Sequence, residues 1–282
     1  MTPEELIQLV TVDNFFRREM RRVDSLEVVQ ARVLQKHYDR SRDRILDKLT
    51  YWAGSETFTE ARLNFVLNTI DAEMDQLAEV TGEEVRFASS LASEEAGVHS
   101  LRELAKMEKK FTGLVTPIPD HAIDVSVEKS NYLVNNFETS LETYNAQLRG
   151  QIHRRMSTGV IERATSFQMV GDLRGILGQE TWKVQRIVRT ELHNIYNKSK
   201  IINFRTIRDD YVPDLMKGLI HPMDGRTGED SKALKSLNPI IPIDDAFRYT
   251  YNGQVREFIS PPDRPNDRAI LVPVRGAFLT EA

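Results

Sequence analysis

The sequence predicts an α+β protein, mainly α: long antiparallel helices followed by a small C-terminal antiparallel β region with a hairpin. Three observations carry this. Apolar residues recur every three or four positions over most of the first 210 residues, the amphipathic signature of helices. Seven prolines, from Pro222 to Pro273, punctuate the chain after Pro213 and end that periodicity. Phe247–Tyr251, Asn252-Gly253 and Gln254–Ile259 then spell two alternating strands around a turn dipeptide that tolerates positive φ.

The elements follow in order. Thr2-Pro3-Glu4-Glu5 reads as a helix start, with Thr2 as cap, Pro3 where no N–H is needed and Glu5 completing a capping box. Helical pattern continues toward Trp52, with a break expected near Asp24-Ser25. Arg17, Arg18, Arg21 and Arg22 cluster there, but Glu19 and Asp24 interleave, so a solvated mixed-charge face is the expectation. Gly54-Ser55 breaks the pattern, and Thr57 with Glu60 forms a second capping box. The stripe Leu63, Val66, Leu67, Ile70, Met74, Leu77 continues through Val85, Ala88 and Leu91, a helix of about 50 Å, expected to end at Gly97 before a short helix from Leu101 to Phe111. Gly113, Pro117 and Pro119 place a linker at 113–125. Leu133, Phe137, Leu141, Tyr144, Leu148, Ile152 and Met156 mark the next long helix, closed by Ser157-Thr158-Gly159; a short helix follows Ser166 and ends near Gly178. Ala269–Val274 reads as a further strand. The division expected is a helical arm (1–112), the linker (113–125) and a domain (126–282) with helices over 126–208 and β structure over 213–275.

The chain is organised around Val184–Ile202, entered through a cap at Thr181. Val184, Ile187, Val188, Leu192, Ile195 and Ile202 share one helical face, and Glu191 falls within it. Glu191 either reaches sideways to water or is a buried anchor needing a cation, tying this helix to the C-terminal segment.

Composition excludes several chemistries. With 282 residues and 40% hydrophobic content the chain can bury a core as one or two domains. It has no cysteine, so disulfides and thiolate metal sites are excluded. The N-terminus shows no signal-peptide pattern and no apolar run is long enough to cross a bilayer, which leads to the expectation of a soluble protein made in a cytoplasm. The net charge of −4 is unevenly spread: residues 51–100 carry two Arg against ten acids, and residues 151–200 carry nine Lys and Arg against four acids. The six histidines (His37, His99, His121, His153, His193, His221) form no ligand-spaced pair, and neither a phosphate loop nor a nucleophile elbow is present. Glu191 and His193 could act as acid and base, but residues two apart on a helix point in different directions. No catalytic residue, metal or cofactor is expected.

Three ordered motifs carry a family resemblance. Arg189-Thr190-Glu191 has Asn197 six residues after the Glu; Asp224-Gly-Arg226-Thr227 follows an extended stretch; Asp244-Asp245-Ala-Phe247 and the hairpin precede Pro261-Pro262 with Pro265-Asn266 and Arg268. Over about residues 150–275 this resembles the phage head morphogenesis family, the minor capsid proteins typified by the phage Mu F-like domain. Departures fall where many members place Cys and His: Arg264, Asp267, Ala269 and Gly228 to Ser231 stand there instead, so the zinc-stabilised form is not expected. The resemblance implies a non-enzymatic minor protein of a tailed-phage head, in the virion near the portal vertex and in the host cytoplasm during assembly. Its partners would be the portal protein, scaffold or major capsid protein, and packaged DNA, with several copies around the portal, no membrane during assembly, and a role in packaging or ejection. The N-terminal helices would be the portal-contacting or lumen-facing arm. Two other readings stand beside it: a nucleic-acid-binding accessory protein using the basic 151–200 region, and an enzyme fused to a head protein. Under the resemblance, Arg226 is the first candidate partner for Glu191, with Asp224 accepting turn N–H groups.

Overall fold

The computed structural model describes residues 1–52, 60–119, 121–162, 164–178, 181–221, 240–262 and 267–279. It is 74% helical with a small C-terminal antiparallel region, the α+β, mainly α class that the sequence predicts. Among the described residues six α-helices come first: α1 Pro3–Val12, α2 Asn14–Trp52, α3 Glu60–Phe111, α4 His121–Ile161, α5 Ser166–Gly178 and α6 Thr181–Asp210. Five described strands follow: β1 Leu215–Ile220, β2 Ile240–Pro242, β3 Phe247–Tyr251, β4 Gln254–Phe258 and β5 Ile270–Arg275.

Several boundaries follow from local chemistry. Thr2 caps α1 and the Glu5 side chain accepts from the Thr2 N–H, the reciprocal capping box. The first break falls at Asp13 rather than at Asp24-Ser25. Asp13 leaves helical geometry and its carboxylate accepts from Phe15 N–H, opening α2, whereas Asp24 lies inside α2 with its carboxylate 3.7 Å from Arg268. Helix α3 does not end at Gly97; it runs unbroken for 52 residues, about 78 Å. Glycine in a helix costs about 1 kcal/mol, and here burial of the following turns, with His99, Glu103 and Leu104 all at or below 1% exposure, offsets it. Helix α4 starts at His121, within the expected linker, and continues past Gly159 to Ile161. The second capping-box residue, Thr57, lies outside the described residues.

The helices divide between two compact units rather than at the linker. Unit 1 comprises 1–27, 88–134 and 189–282; unit 2 comprises 28–87 and 135–188. Helices α2, α3, α4 and α6 each contribute a portion to both. Unit 2 is a helical bundle whose core includes Leu34, Ile45, Ile70, Met74, Phe137, Leu141, Ile152, Leu173, Val184 and Val188. Two polar contacts tie it together internally: Tyr38 donates to Asn145 Oδ1 at 2.6 Å, and Glu73 accepts from Arg44 and Lys48 at 2.7 Å each.

Unit 1 holds α1, the remaining helical portions and both sheets. Strand β1 is central in a three-stranded antiparallel sheet of order β2-β1-β5. The hairpin β3-β4 forms a separate sheet, in the register Phe247↔Phe258 to Tyr251↔Gln254 around Asn252 (φ 52°) and Gly253 (φ 75°). The third strand therefore pairs with β1 and not with the hairpin; the short-range turn signal fixes β3-β4, while a pairing between residues 215–220 and 270–275 has no local signature. The core that binds helix to sheet contains Leu104, Ile201, Phe204, Ile207, Leu215, Leu219, Phe247, Tyr249 and Leu271. Gly218 lets α1 approach β1, since a Cβ there would stand 2.9 Å from Ile7 Cδ1 and 3.0 Å from Val272 Cγ2. Gly218→Val should destabilise by about 1–3 kcal/mol through overpacking; a chemical-denaturation midpoint equal to that of the wild type would contradict this close approach.

Candidate functional site

Polar chemistry gathers in unit 1 along the half of α6 that the sequence stripe left unassigned. Residues 192–204 are buried almost all round, apart from half-buried Asn194 and Lys198. Within them His193, Asn197 and Lys200, at i, i+4 and i+7, form one polar face. That face meets the outer edge of β5.

Among the described residues β5 is an edge strand, paired with β1 on one side only. Its outward backbone groups would be unsatisfied if simply buried. The side chains of α6 supply the partners. Asn197 Nδ2 donates to Ala269 O at 3.3 Å and its Oδ1 accepts from Leu271 N–H at 3.0 Å. Lys200 Nζ donates to Leu271 O at 2.8 Å. His193 Nε2 lies 2.6 Å from Ala269 O. Three side chains thus stand where the next strand would be. Pro273 fits the same edge: antiparallel alternation puts it on Leu271's side, where no ladder N–H is needed.

Each of these side chains has a charged or aromatic partner behind it. Lys200 is fully buried and donates to both oxygens of Glu103, also fully buried, at 2.8 and 2.6 Å. Burial pushes the Glu103 carboxyl up, to about 7, and the Lys200 ammonium down, while their mutual attraction opposes both shifts. His193 Nδ1 lies 2.7 Å from Glu27 Oε1. With a carboxylate at one ring nitrogen and a carbonyl at the other, both nitrogens must donate, so His193 is an imidazolium. Burial opposes that charge, yet Glu27, the Ala269 carbonyl and Asp267 outweigh it and raise His193 above its ordinary value.

A second arm runs from Tyr196, whose hydroxyl lies 2.7 Å from His99 Nδ1. His99 Nε2 faces Glu19 at 2.5 Å and Glu95 at 3.0 Å. The Glu19 approach is off the hydrogen-bonding direction, leaving Glu19 Oε2 and His99 Nε2 without a formed hydrogen bond, so we regard the contact as electrostatic. Burial, with the Lys200 charge next, holds His99 down at about 3 despite these carboxylates. Tyr196 then donates to Nδ1 of a neutral ring. Tyr196 itself is raised well above the usual phenol value, by burial first and Glu103 next.

The motif residues are distributed unevenly about this network. Asn197 is at its centre, 0% exposed. Arg268 and Asp267 flank Ala269, to which Asn197 bonds, and Asp267 accepts from Ala269 N–H at 3.1 Å. Pro261 is buried, Pro262 half-buried, and a cis peptide bond joins them. Arg189 and Thr190 are half-buried, with Nε and Oγ1 respectively lacking hydrogen-bond partners. Glu191 is half-buried rather than buried, because the inward face it was assigned to is filled by Val188, Leu192 and Ile195, at 1% exposure or less. Asp224, Arg226, Thr227, Arg264 and Pro265 lie outside the described residues, and with them the Glu191–Arg226 pairing. His193, Asn197 and Lys200 tie α6 to the C-terminal segment from within the core. His193 was visible in the sequence only as a possible acid or base, and Lys200 not at all. The signal that could have found them is their shared 193-197-200 spacing, which puts three polar side chains on one face of α6.

These groups can hold a strand edge and share protons. In unit 2 a cavity of about 20 Å³ is lined by residues including Tyr38, Ser41, Ile45, Met74, Tyr144 and Leu148, space for a single water. Among the described residues no cluster of three or more His, Asp or Glu is placed to hold a metal ion, and no helix is long and apolar enough to cross a membrane. No family model, no curated protein and no solved structure matches the chain.

Proposed function

We propose that this chain is a minor head protein of a tailed phage, associated with the portal and acting in procapsid assembly. The observation that carries the reading is the bond set of Asn197. Asn197, the last residue of the first motif, bonds to Ala269 and Leu271, directly after Arg268 at the end of the closing motif, so two of the three ordered motifs adjoin one buried knot. A knot of this kind serves a scaffold: the polar side chains of α6 are engaged by backbone atoms and buried carboxylates. Its place would be the head interior near the portal vertex, in several copies, with the host cytoplasm as the site of assembly.

The experiment is co-purification of the full chain with portal rings, together with protein analysis of purified procapsids. The chain is expected in both. Its absence from procapsids, together with failure to bind isolated portal rings, would overturn the reading.

A further inference from the structure

In unit 1, α2 and α3 lie side by side and antiparallel. Lys110 Nζ is 3.2 Å from Asp13, Lys106 Nζ stands 6.0 Å from the Phe15 ring, and His99 faces Glu19. The sequence over 14–22 and 102–110 looks mixed in charge: Arg17, Arg18, Arg21, Arg22, Arg102, Lys106, Lys109 and Lys110 against Glu19, Glu103 and Glu108. The fold sorts the two signs. All eight cations are exposed. All three carboxylates are turned inward, at 4%, 0% and 2% exposure. Glu103 is neutralised by Lys200, and Glu108 is engaged by Thr116 and Arg275. Among the described residues, no carboxylate pairs with Arg18, Arg21, Arg102, Lys106 or Lys109.

We infer that this α2–α3 face binds the phosphate backbone of double-stranded nucleic acid without reading its sequence. Eight exposed cations, of which only Arg22 and Lys110 meet a carboxylate among the described residues, attract a polyanion by releasing its condensed counterions. Five are arginines, whose planar forks suit phosphate oxygens. The Asn and Gln side chains that would read base edges do not interleave with Arg17–Arg22 or Arg102–Lys110, which fits binding through backbone charge alone. The face differs from residues 151–200, whose cations are dispersed: Arg155 is held by Asp172 and Lys200 by Glu103. The inference does not depend on the portal reading; portal binding and nucleic-acid binding are separate measurements.

The test is fluorescence anisotropy of the full chain with a labelled duplex DNA across a potassium chloride series. The affinity should fall on a log–log plot with a slope of about −3 or steeper. The Arg18→Glu, Arg21→Glu, Lys109→Glu triple variant, at side chains that no carboxylate pairs with among the described residues, should weaken binding at least about tenfold, as loss of several phosphate contacts requires. An Arg154→Glu, Arg174→Glu, Arg186→Glu variant has the same change in net charge and should retain affinity within about threefold. Independently of any variant, saturating DNA should protect Lys106, Lys109 and Lys110 of the wild-type chain from acetylation. Absence of binding at low salt overturns the inference, as do equal losses in the two variants or unprotected lysines. So does wild-type binding to phosphatidylserine vesicles or polyglutamate that matches or exceeds binding to DNA.

Discussion

Lys200→Met should destabilise the protein by about 3–5 kcal/mol in chemical unfolding, because it leaves a buried carboxylate without its cation. Glu103 is 0% exposed and its two oxygens both accept from Lys200. The same change strips the Leu271 carbonyl of its donor, and an unsatisfied buried acceptor costs about 1–3 kcal/mol. The two losses belong to one ammonium group and do not simply add. A Lys200→Met, Glu103→Leu double variant should recover most of the charge penalty and retain the carbonyl penalty. The pH dependence is a further check. Burial already raises Glu103 to about 7 in the presence of Lys200; without that cation the acid is neutral over a still wider range. The cost of Lys200→Met should therefore shrink as the solution is acidified and Glu103 takes up a proton. A loss below about 1 kcal/mol at neutral pH would mean that the pair is solvated and is not the anchor of β5.

The difference between what could and could not be read from this chain is one of range. Thr2-Pro3-Glu4-Glu5 and Asn252-Gly253 are local devices, where a cap or a turn is specified by the residues that form it, and both stand where the sequence puts them. The break near Asp24-Ser25 was misplaced because an Asp-Ser pair is compatible with either a cap or a salt-bridged helix interior. Only the position of Arg268, 244 residues away in sequence, settles which. The basic face shows the same limit. Glu19 seemed to dilute Arg17–Arg22 because sequence order carries no information about which way a side chain faces once a second helix packs alongside. His99, from that second helix, turns Glu19 inward. A helical wheel drawn for α6 alone places Glu191 on the inward face, whereas it is the stretch after it, 192–204, that is buried almost all round. On such a helix the buried polar residues are those with a strand edge to satisfy. Finding that edge requires knowing that, among the described strands, β5 pairs with β1 alone.

His193→Gln should cost about 3–5 kcal/mol near pH 6, and the cost should decline as pH rises. The magnitude comes from Glu27, 4% exposed, which would lose its charged partner. The sign follows from linkage. The folded protein holds the His193 proton more tightly than an unfolded chain, whose imidazole titrates at about 6.5. The imidazolium contribution is therefore complete below about pH 6.5 and disappears as pH rises through the higher folded value. His99 acts in the opposite sense. Its folded value of about 3 means that only the unfolded chain gains a proton between about 6.5 and 3, so acid weakens the fold through this residue. Asp13, Glu73, Asp214 and Asp244, each held below its ordinary value with cationic partners contributing, add to the loss at still lower pH. Replacing His193 leaves the acid limb intact and removes one contribution to the alkaline limb, so the difference between wild-type and variant stability isolates it. Unfolding free energies measured from pH 5.5 to 9 in both proteins provide that difference. A gap that stays constant over this range, or an imidazole resonance of His193 that titrates below 6.5 in the folded protein, would show that the ring is neutral. Glu27 and the Ala269 carbonyl would then be held by something other than an imidazolium.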